Sequence, residues 1–217
     1  MNDRFYMLCL RETVGTNASF HCHNGNGYSS NIDTAHVYTL KEAQESWNKG
    51  RPIDLPVAAD CIDELAIWHV DSQRLPCETI IEPGCTQYVA YVKGEWDGND
   101  VYWLAGAELP TTDFTKAYIH PFAVTTSEGL IWLPYHLANK VKRRTFCINK
   151  LDRRKMIQAR GLRQPDWLKR QKRRDRTSTG KTRWNCPCCG RISWQLNPYD
   201  FDGCSNYMCE NWNKNVY

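Results

Sequence analysis

The chain has 217 residues, 41% of them apolar and 12% aromatic, enough to bury a core and to exclude wholesale disorder. No run approaches the ~18 apolar residues of a membrane span, and the start Met1-Asn2-Asp3-Arg4 lacks the apolar stretch of a secretory leader, so a cytoplasmic protein without a membrane partner is expected. The net charge of +4 conceals a division: residues 1–139 carry 8 Lys/Arg and 18 Asp/Glu, residues 140–183 carry 18 and 3, and residues 184–217 carry 2 and 3.

In chain order, Phe5–Leu10 reads as a strand and Ala18–His23 as a second, followed by a tight turn at Asn24-Gly25-Asn26-Gly27. Leu40–Trp47 reads as a helix. Thr39 is its cap, and Glu42 stands at the capping-box spacing. Tyr88–Val92 and Val101–Leu104 read as another hairpin, with Asp97-Gly98 in its turn. A shift of 82 residues aligns Asn17–Phe20 with Asn99–Tyr102, Ser29–Ile32 with Thr111–Phe114 and Ala35–Val37 with Ala117–Ile119, without a gap. Only Asn17/Asn99 and Ala35/Ala117 are identical in these segments. The expectation is an internal duplication: an acidic α+β module over 1–75 and a second over 76–139.

Gly27-Tyr28-Ser29-Ser30, Asp33, Ala35, Tyr38-Thr39 and Glu42-Ala43 form a turn-and-helix-start pattern of about 20 residues. It resembles small accessory proteins of temperate bacteriophages. The resemblance implies a phage or prophage origin and carries no activity with it.

The next stretch is expected to be a basic helical connector over 140–183. Leu133, Leu137 and Val141 recur at helical spacing, with Pro134 in a first turn and Lys140, Lys142, Arg143 and Arg144 at the far end. Cations at a helix C-terminus are favourable without any ligand. A second helix is expected over 150–160, capped by Asn149 and stopped by Gly161. After Pro165 and Asp166, the segment Trp167–Arg176 has no apolar stripe apart from Trp167 and Leu168, so it is solvated or bound to something. Thr177–Gly180 reads as a break.

Eleven cysteines, an odd number, argue against a disulfide framework. Cys9, Cys22, Cys61, Cys77, Cys85 and Cys147 stand singly and read as small buried hydrophobes. Cys186-x2-Cys189-Gly190 and Cys204-x4-Cys209 have the spacing of two thiolate pairs around one ion, and Gly190 relieves crowding where the chain reverses. The last 34 residues resemble a zinc ribbon, which implies Zn2+ held by Cys186, Cys189, Cys204 and Cys209. Four thiolates leave no open position, so the metal is expected to be structural. An iron–sulfur centre and a redox dithiol are the alternatives. A hairpin through Ile192–Leu196 is expected between the pairs. Cys188 reads as a spare thiol, Arg191 as outward-facing, and Trp184, Trp194, Tyr199, Phe201 and Trp212 as packing around the metal.

The expected fold class is therefore α+β, with two hairpin/helix modules, the basic connector and the ribbon. No Walker, Rossmann, Gly-x-Ser-x-Gly or His-Glu-x-x-His motif is present, so no catalytic residue is assigned. The leading expectation is a nucleic-acid-binding accessory protein, DNA favoured over RNA, holding phosphates with Lys140, Lys142, Arg143, Arg144, Arg153, Arg154, Lys155, Lys169, Arg170, Lys172, Arg173, Arg174, Arg176 and Arg191. The basic stretch could instead dock on the protein's own acidic half. A second reading is a module whose acidic front half captures a host nucleic-acid-handling or defence protein. A third is a metal-dependent nuclease using Asp54, Asp60, Asp63, Glu64 and Asp71. His21-Cys22-His23, with His36 or Asp33, reads as an exposed hairpin or a second metal site.

Overall fold

Phe5–Val14 (β1) opens the fold, and its first five residues are buried on both faces. The computed structural model describes residues 3–124, 129–177 and 180–212, the side chains of Arg176 and Thr177 excepted. β1 turns through Gly15 into Asn17–His21 (β2), and Tyr28–Ser29 (β3) lies beyond it. Leu40–Lys49 (α1) follows. The Thr39 hydroxyl accepts from the Glu42 amide and the Glu42 carboxylate accepts from the Thr39 amide, the expected capping box. Ala43 and Trp47 are its buried face. Asp54–Ala58 (β4) returns antiparallel to β1, giving the sheet order β3-β2-β1-β4. A short helix, Ala59–Leu65 (α2), leads to Ile67–His69 (β5).

The same path is then repeated. Tyr88–Asp97 (β6), Asp100–Ala105 (β7), Glu108–Thr111 (β8) and Leu130–Pro134 (β9) form a sheet of order β8-β7-β6-β9. Tyr135–Val141 (α3) leads to Arg143–Thr145 (β10), as α2 leads to β5. β5 and β10 pair antiparallel, with Trp68 opposite Arg144 at the centre. Backbone bonds between the copies are reciprocal. Ala18 N–H donates to Phe146 O and Val101 N–H to Val70 O, while Ile148 N–H donates to Thr16 O and Ser72 N–H to Asn99 O. The two copies are thus related by a local pseudo-two-fold axis. Gly15 and Gly98 meet on it, both with positive φ, and a Cβ on either would strike the other's backbone.

The structure corrects the sequence alignment in one detail. Asn17 corresponds to Asp100, not Asn99, because both make isolated bridges to the opposite copy, Asn17 with Cys147 and Asp100 with Asp71. One gap is needed after the hairpin, and a one-residue slip in a strand exchanges its faces. The second copy also continues past residue 139 to β10. The helix expected through 133–145 is interrupted: Leu133 is a buried strand residue, Pro134 precedes α3, and Arg143–Thr145 is extended.

Arg153–Met156 (α4) is shorter than the expected second helix, and its cap is Asp152, whose carboxylate accepts from the Arg154 and Lys155 amides. Gly161 ends the following turn in the left-handed region, as expected. Val89, Trp103, Phe114 and Leu133 of the second copy are buried in one cluster with Val70 of the first. Burial pushes the Tyr91 phenol up to about 12 while it donates to Pro76 O. Cys9 and Cys61 are buried as expected, whereas Cys22, Cys85 and Cys147 are partly exposed and Cys77 is exposed.

Contacts divide the chain into Met1–Gln164 and Pro165–Tyr217. Residues 140–164 therefore belong to the first unit. The second contains Asp166–Thr177 (α5) and a hairpin of Thr182–Asn185 (β11) with Ile192–Gln195 (β12). Among the described residues no helix is long and apolar enough to cross a membrane.

Candidate metal centre and the placement of the basic residues

The hairpin β11–β12 does not lie between the two cysteine pairs. It encloses the first, whose knuckle is its turn. Cys186 N–H donates to Arg191 O and Gly190 N–H to Cys186 O, with Gly190 at φ +71°. The second pair closes on Cys204 N–H to Asn211 O and Cys209 N–H to Asn206 O. These turns bring the four Sγ atoms within 4.8 Å of one another. Cys186 and Cys209 are 3.6 Å apart, and Cys189 and Cys204 are 3.5 Å apart. A tetrahedral tetrathiolate site with metal–sulfur bonds of ~2.3 Å has sulfurs ~3.8 Å apart. The donor set therefore fits one metal ion.

Backbone amides aim at these sulfurs. The amide of Cys189, with that of Cys188 and the neighbouring thiols, lowers the Cys186 thiol to about 6 against the opposing effect of burial. The Arg191 amide, then the Cys204 thiol, lower Cys189. The Asn206 amide lies 3.4 Å from the Cys204 sulfur. Such bonds stabilise thiolate and orient it, although at Cys204 and Cys209 the amides of Asn206 and Asn211 are outweighed by burial and the neighbouring thiols, which raise the thiol. Cys188 is exposed and outside the cluster. Cys186, Cys204 and Cys209 with Phe201 form the buried cluster of this region. Trp184 packs on Phe201 with ring centroids 6.2 Å apart. Trp194, Tyr199 and Trp212, expected to pack there too, are exposed instead.

The cations divide into two populations. In the first unit, Arg143 is buried, and its guanidinium donates to Asp100 Oδ1 at 2.6 Å and to Ser30 Oγ at 3.2 Å, with Asp71 at 3.8 Å. Asp100 is fully buried and also accepts from Asn17 Nδ2 and His69 Nδ1. This network lies where the two copies meet. Arg143 is a core residue whose guanidinium turns inward to Asp100, contrary to the expectation that it meets phosphate. Arg144 is held by Asp33 and Asp63. Lys142 lies 4.6 Å above the Trp68 ring, and Lys155 is 3.9 Å from Glu64. Lys140, Arg153 and Arg154 are exposed. In the second unit, Lys169, Arg170, Lys172, Arg173, Arg174 and Arg191 are all exposed, while the Arg176 side chain lies outside the described residues. Lys169 pairs with Asp166, whose carboxyl it holds below the ordinary range. Leu168 is the one buried residue among the described side chains of α5.

The acidic residues considered for a nuclease are engaged by several partners, and only Asp60 and Asp63 share one. Asp54 binds Arg51 and His21, Asp60 and Asp63 bind Arg4, Glu64 approaches Lys155, and Asp71 accepts from the Gln73 amide. Among the described residues, the four cysteines are the only group of three or more placed to hold a metal. His21 ends β2, while His23 has left the strand for a turn. The His23 and His36 rings are 5.6 Å apart beside a cavity of about 430 Å³ lined by His21, Cys22, Tyr28, His36 and Tyr38.

No protein-family model matches the chain, and neither does a curated protein or a solved structure. The resemblance to phage accessory proteins gains no support from these comparisons.

Proposed function

We propose that the chain binds nucleic acid through its second unit, with Zn2+ as the structural metal. The observation that carries this reading is the basic helix α5. Six of its twelve residues are Lys or Arg, two are acidic, and its described cations face solvent. Residues 165–217 carry ten Lys/Arg and five Asp/Glu, whereas residues 1–164 carry 18 and 19. The surplus of positive charge thus lies in the unit whose fold leaves it exposed. Phosphates neutralising such a surface release counterions, so affinity should fall steeply with salt. A tetrathiolate donor set suits zinc, and closed coordination gives it a folding role. Eleven cysteines without a disulfide, four of them at the metal site, suit a reducing, cytoplasmic setting.

Capture of a basic partner by the acidic front half has less support, because Asp33, Asp63, Asp71 and Asp100 already face Arg143 and Arg144. A phage origin rests on the short pattern around Gly27–Ala43 alone.

The test is fluorescence anisotropy of the zinc-loaded protein with duplex DNA, single-stranded DNA and RNA at two salt concentrations. Wild type should bind and lose affinity as salt rises. The double reversal R173E/R174E should weaken binding on every sequence. Unaltered affinity in that variant would overturn the assignment of α5. Metal analysis should return about one zinc per chain, as four thiolates imply.

A further inference from the structure

We infer that the solvent face of the β11–β12 hairpin is a platform for single-stranded nucleic acid, with Trp194 stacking on a base and Arg183 meeting the adjoining phosphate. The inference rests on the nucleic-acid reading above and adds the strand state of the ligand.

The antiparallel register places Arg183 opposite Trp194 and Asn185 opposite Ile192. Directly opposed residues project from the same face of a sheet. The exposure pattern identifies that face as the outer one. Arg183, Asn185, Ile192, Trp194 and Leu196 are exposed, while Thr182, Trp184 and Ser193 are partly buried and Gln195 is buried. Trp194 is 58% exposed and Leu196 69%. An aromatic and two aliphatic side chains thus lie in water on an isolated two-stranded ribbon, where nothing in the hairpin's own packing requires them.

Charge selects the occupant. Neither strand carries Asp or Glu. Arg183 lies within the face, Arg191 at the knuckle and Lys181 at the entry to β11, all exposed. Cations interleaved with an aromatic and apolar surface match a polyanion that offers flat apolar groups. Single-stranded nucleic acid does so: unstacked bases present their π-faces, and phosphates follow at regular intervals. A duplex hides those faces within its stack and offers this surface phosphates alone. The arrangement therefore discriminates by strand state, whereas α5 attracts both forms through charge.

The experiment uses the full zinc-loaded chain, labelled oligo(dT), and a duplex of equal length. Wild type should prefer oligo(dT). W194A should lose about tenfold or more in oligo(dT) affinity, the usual scale of one base–aromatic stack, with duplex affinity unchanged. W194F should keep most of the affinity. R183Q should lower the salt slope by about one on oligo(dT). Zinc content and circular dichroism of each variant report folding, and R183Q tests the face even where W194A does not fold. Equal losses on both ligands, or no loss on oligo(dT) in W194A and R183Q, would overturn the platform while R173E/R174E still reports on α5. No binding of either ligand by wild type would overturn the nucleic-acid reading, and the platform with it.

Discussion

The two units use arginine in opposite ways. In the first, Arg143 is buried against a buried carboxylate between two sheets, and Arg144 closes on Asp33 and Asp63. In the second, the described cations of α5 face water, and the buried cluster is three cysteines with Phe201. Density of charge along the chain is the same kind of signal in both places. What separates them is the apolar context. Arg143 and Arg144 stand between Val141 and the fully buried Phe146, whereas Lys169–Asp175 contains no apolar residue and has Trp167 and Leu168 on its N-terminal side only. A basic run becomes surface only where the fold has nothing else to do with it.

The largest effect that would break this comparison is metal removal. A unit of this size with so small an apolar cluster is expected to fold on the metal that its four cysteines are placed to hold. Chelation, or C209S, should abolish amide protection over β11 and β12 while leaving the sheets of the first unit protected. Hydrogen exchange reads both at once. Persistence of the hairpin without metal would show that its side chains, not its ligands, hold it.

Next in size is R143A. Removing the guanidinium strands Asp100 in the interior, and breaking a buried pair in this way costs about 3–5 kcal/mol. R143M, which fills the volume, isolates the charge from the packing. Urea unfolding of the first unit measures both. A loss below ~1 kcal/mol, the scale of an exposed pair, would mean that the network is solvated. Neither variant should alter the salt-dependent binding proposed for α5.

G98A tests the pseudo-two-fold axis. Gly98 has φ +63°, and an added Cβ would meet the backbone of Val14 and Gly15 in the other copy. The left-handed conformation alone costs an L-residue about 1–2 kcal/mol, and the contact adds to it. G25A is the control, since Gly25 shares the positive φ but has open space around it. G98A should therefore be the more destabilising of the two.

Local features of both units were legible in the sequence. The cysteine spacing located the donor set, Thr39 and Glu42 located a helix start, and Gly161 located a stop. Each signal lies within a few residues of its effect. The unread features depend on distant partners. Leu133, Leu137 and Val141 satisfy a helical period, yet Leu133 is drawn into β9 by its pairing with Val89. Arg143 reads as a surface cation until β5 and Asp100 are placed beside it. The expected alignment set Ala35 against Ala117, and both follow a short helical turn, but the register of the two hairpins depends on bonds between strands far apart in the chain. Outward Trp194 was hidden for another reason. Its alternation with Ser193 and Gln195 marks two faces without saying which one is wet.

The smallest effect separates the two copies. α1 lies between β3 and β4, and the described residues between β8 and β9 contain no α-helix. Among the described residues the capping box is therefore particular to the first copy. T39A removes the hydroxyl that accepts from the Glu42 amide at 3.3 Å, and loss of such a cap costs about 1 kcal/mol. Buried Ala43 and Trp47 still hold the helix to its sheet, so the loss should remain local and m should not change. Its pH dependence has a fixed sign. The Thr39 amide, then its hydroxyl, hold the Glu42 carboxyl below the ordinary range. A depressed carboxyl contributes stability that is present above its unfolded pKa and is lost as pH falls through its folded one. The gap between wild type and T39A should be constant near neutrality and narrow in acid, below about pH 4.3, the ordinary value for Glu. Urea midpoints at neutral and acid pH measure it. A gap that widened in acid would show that Thr39 stabilises the helix by something other than its reciprocal bonds with Glu42.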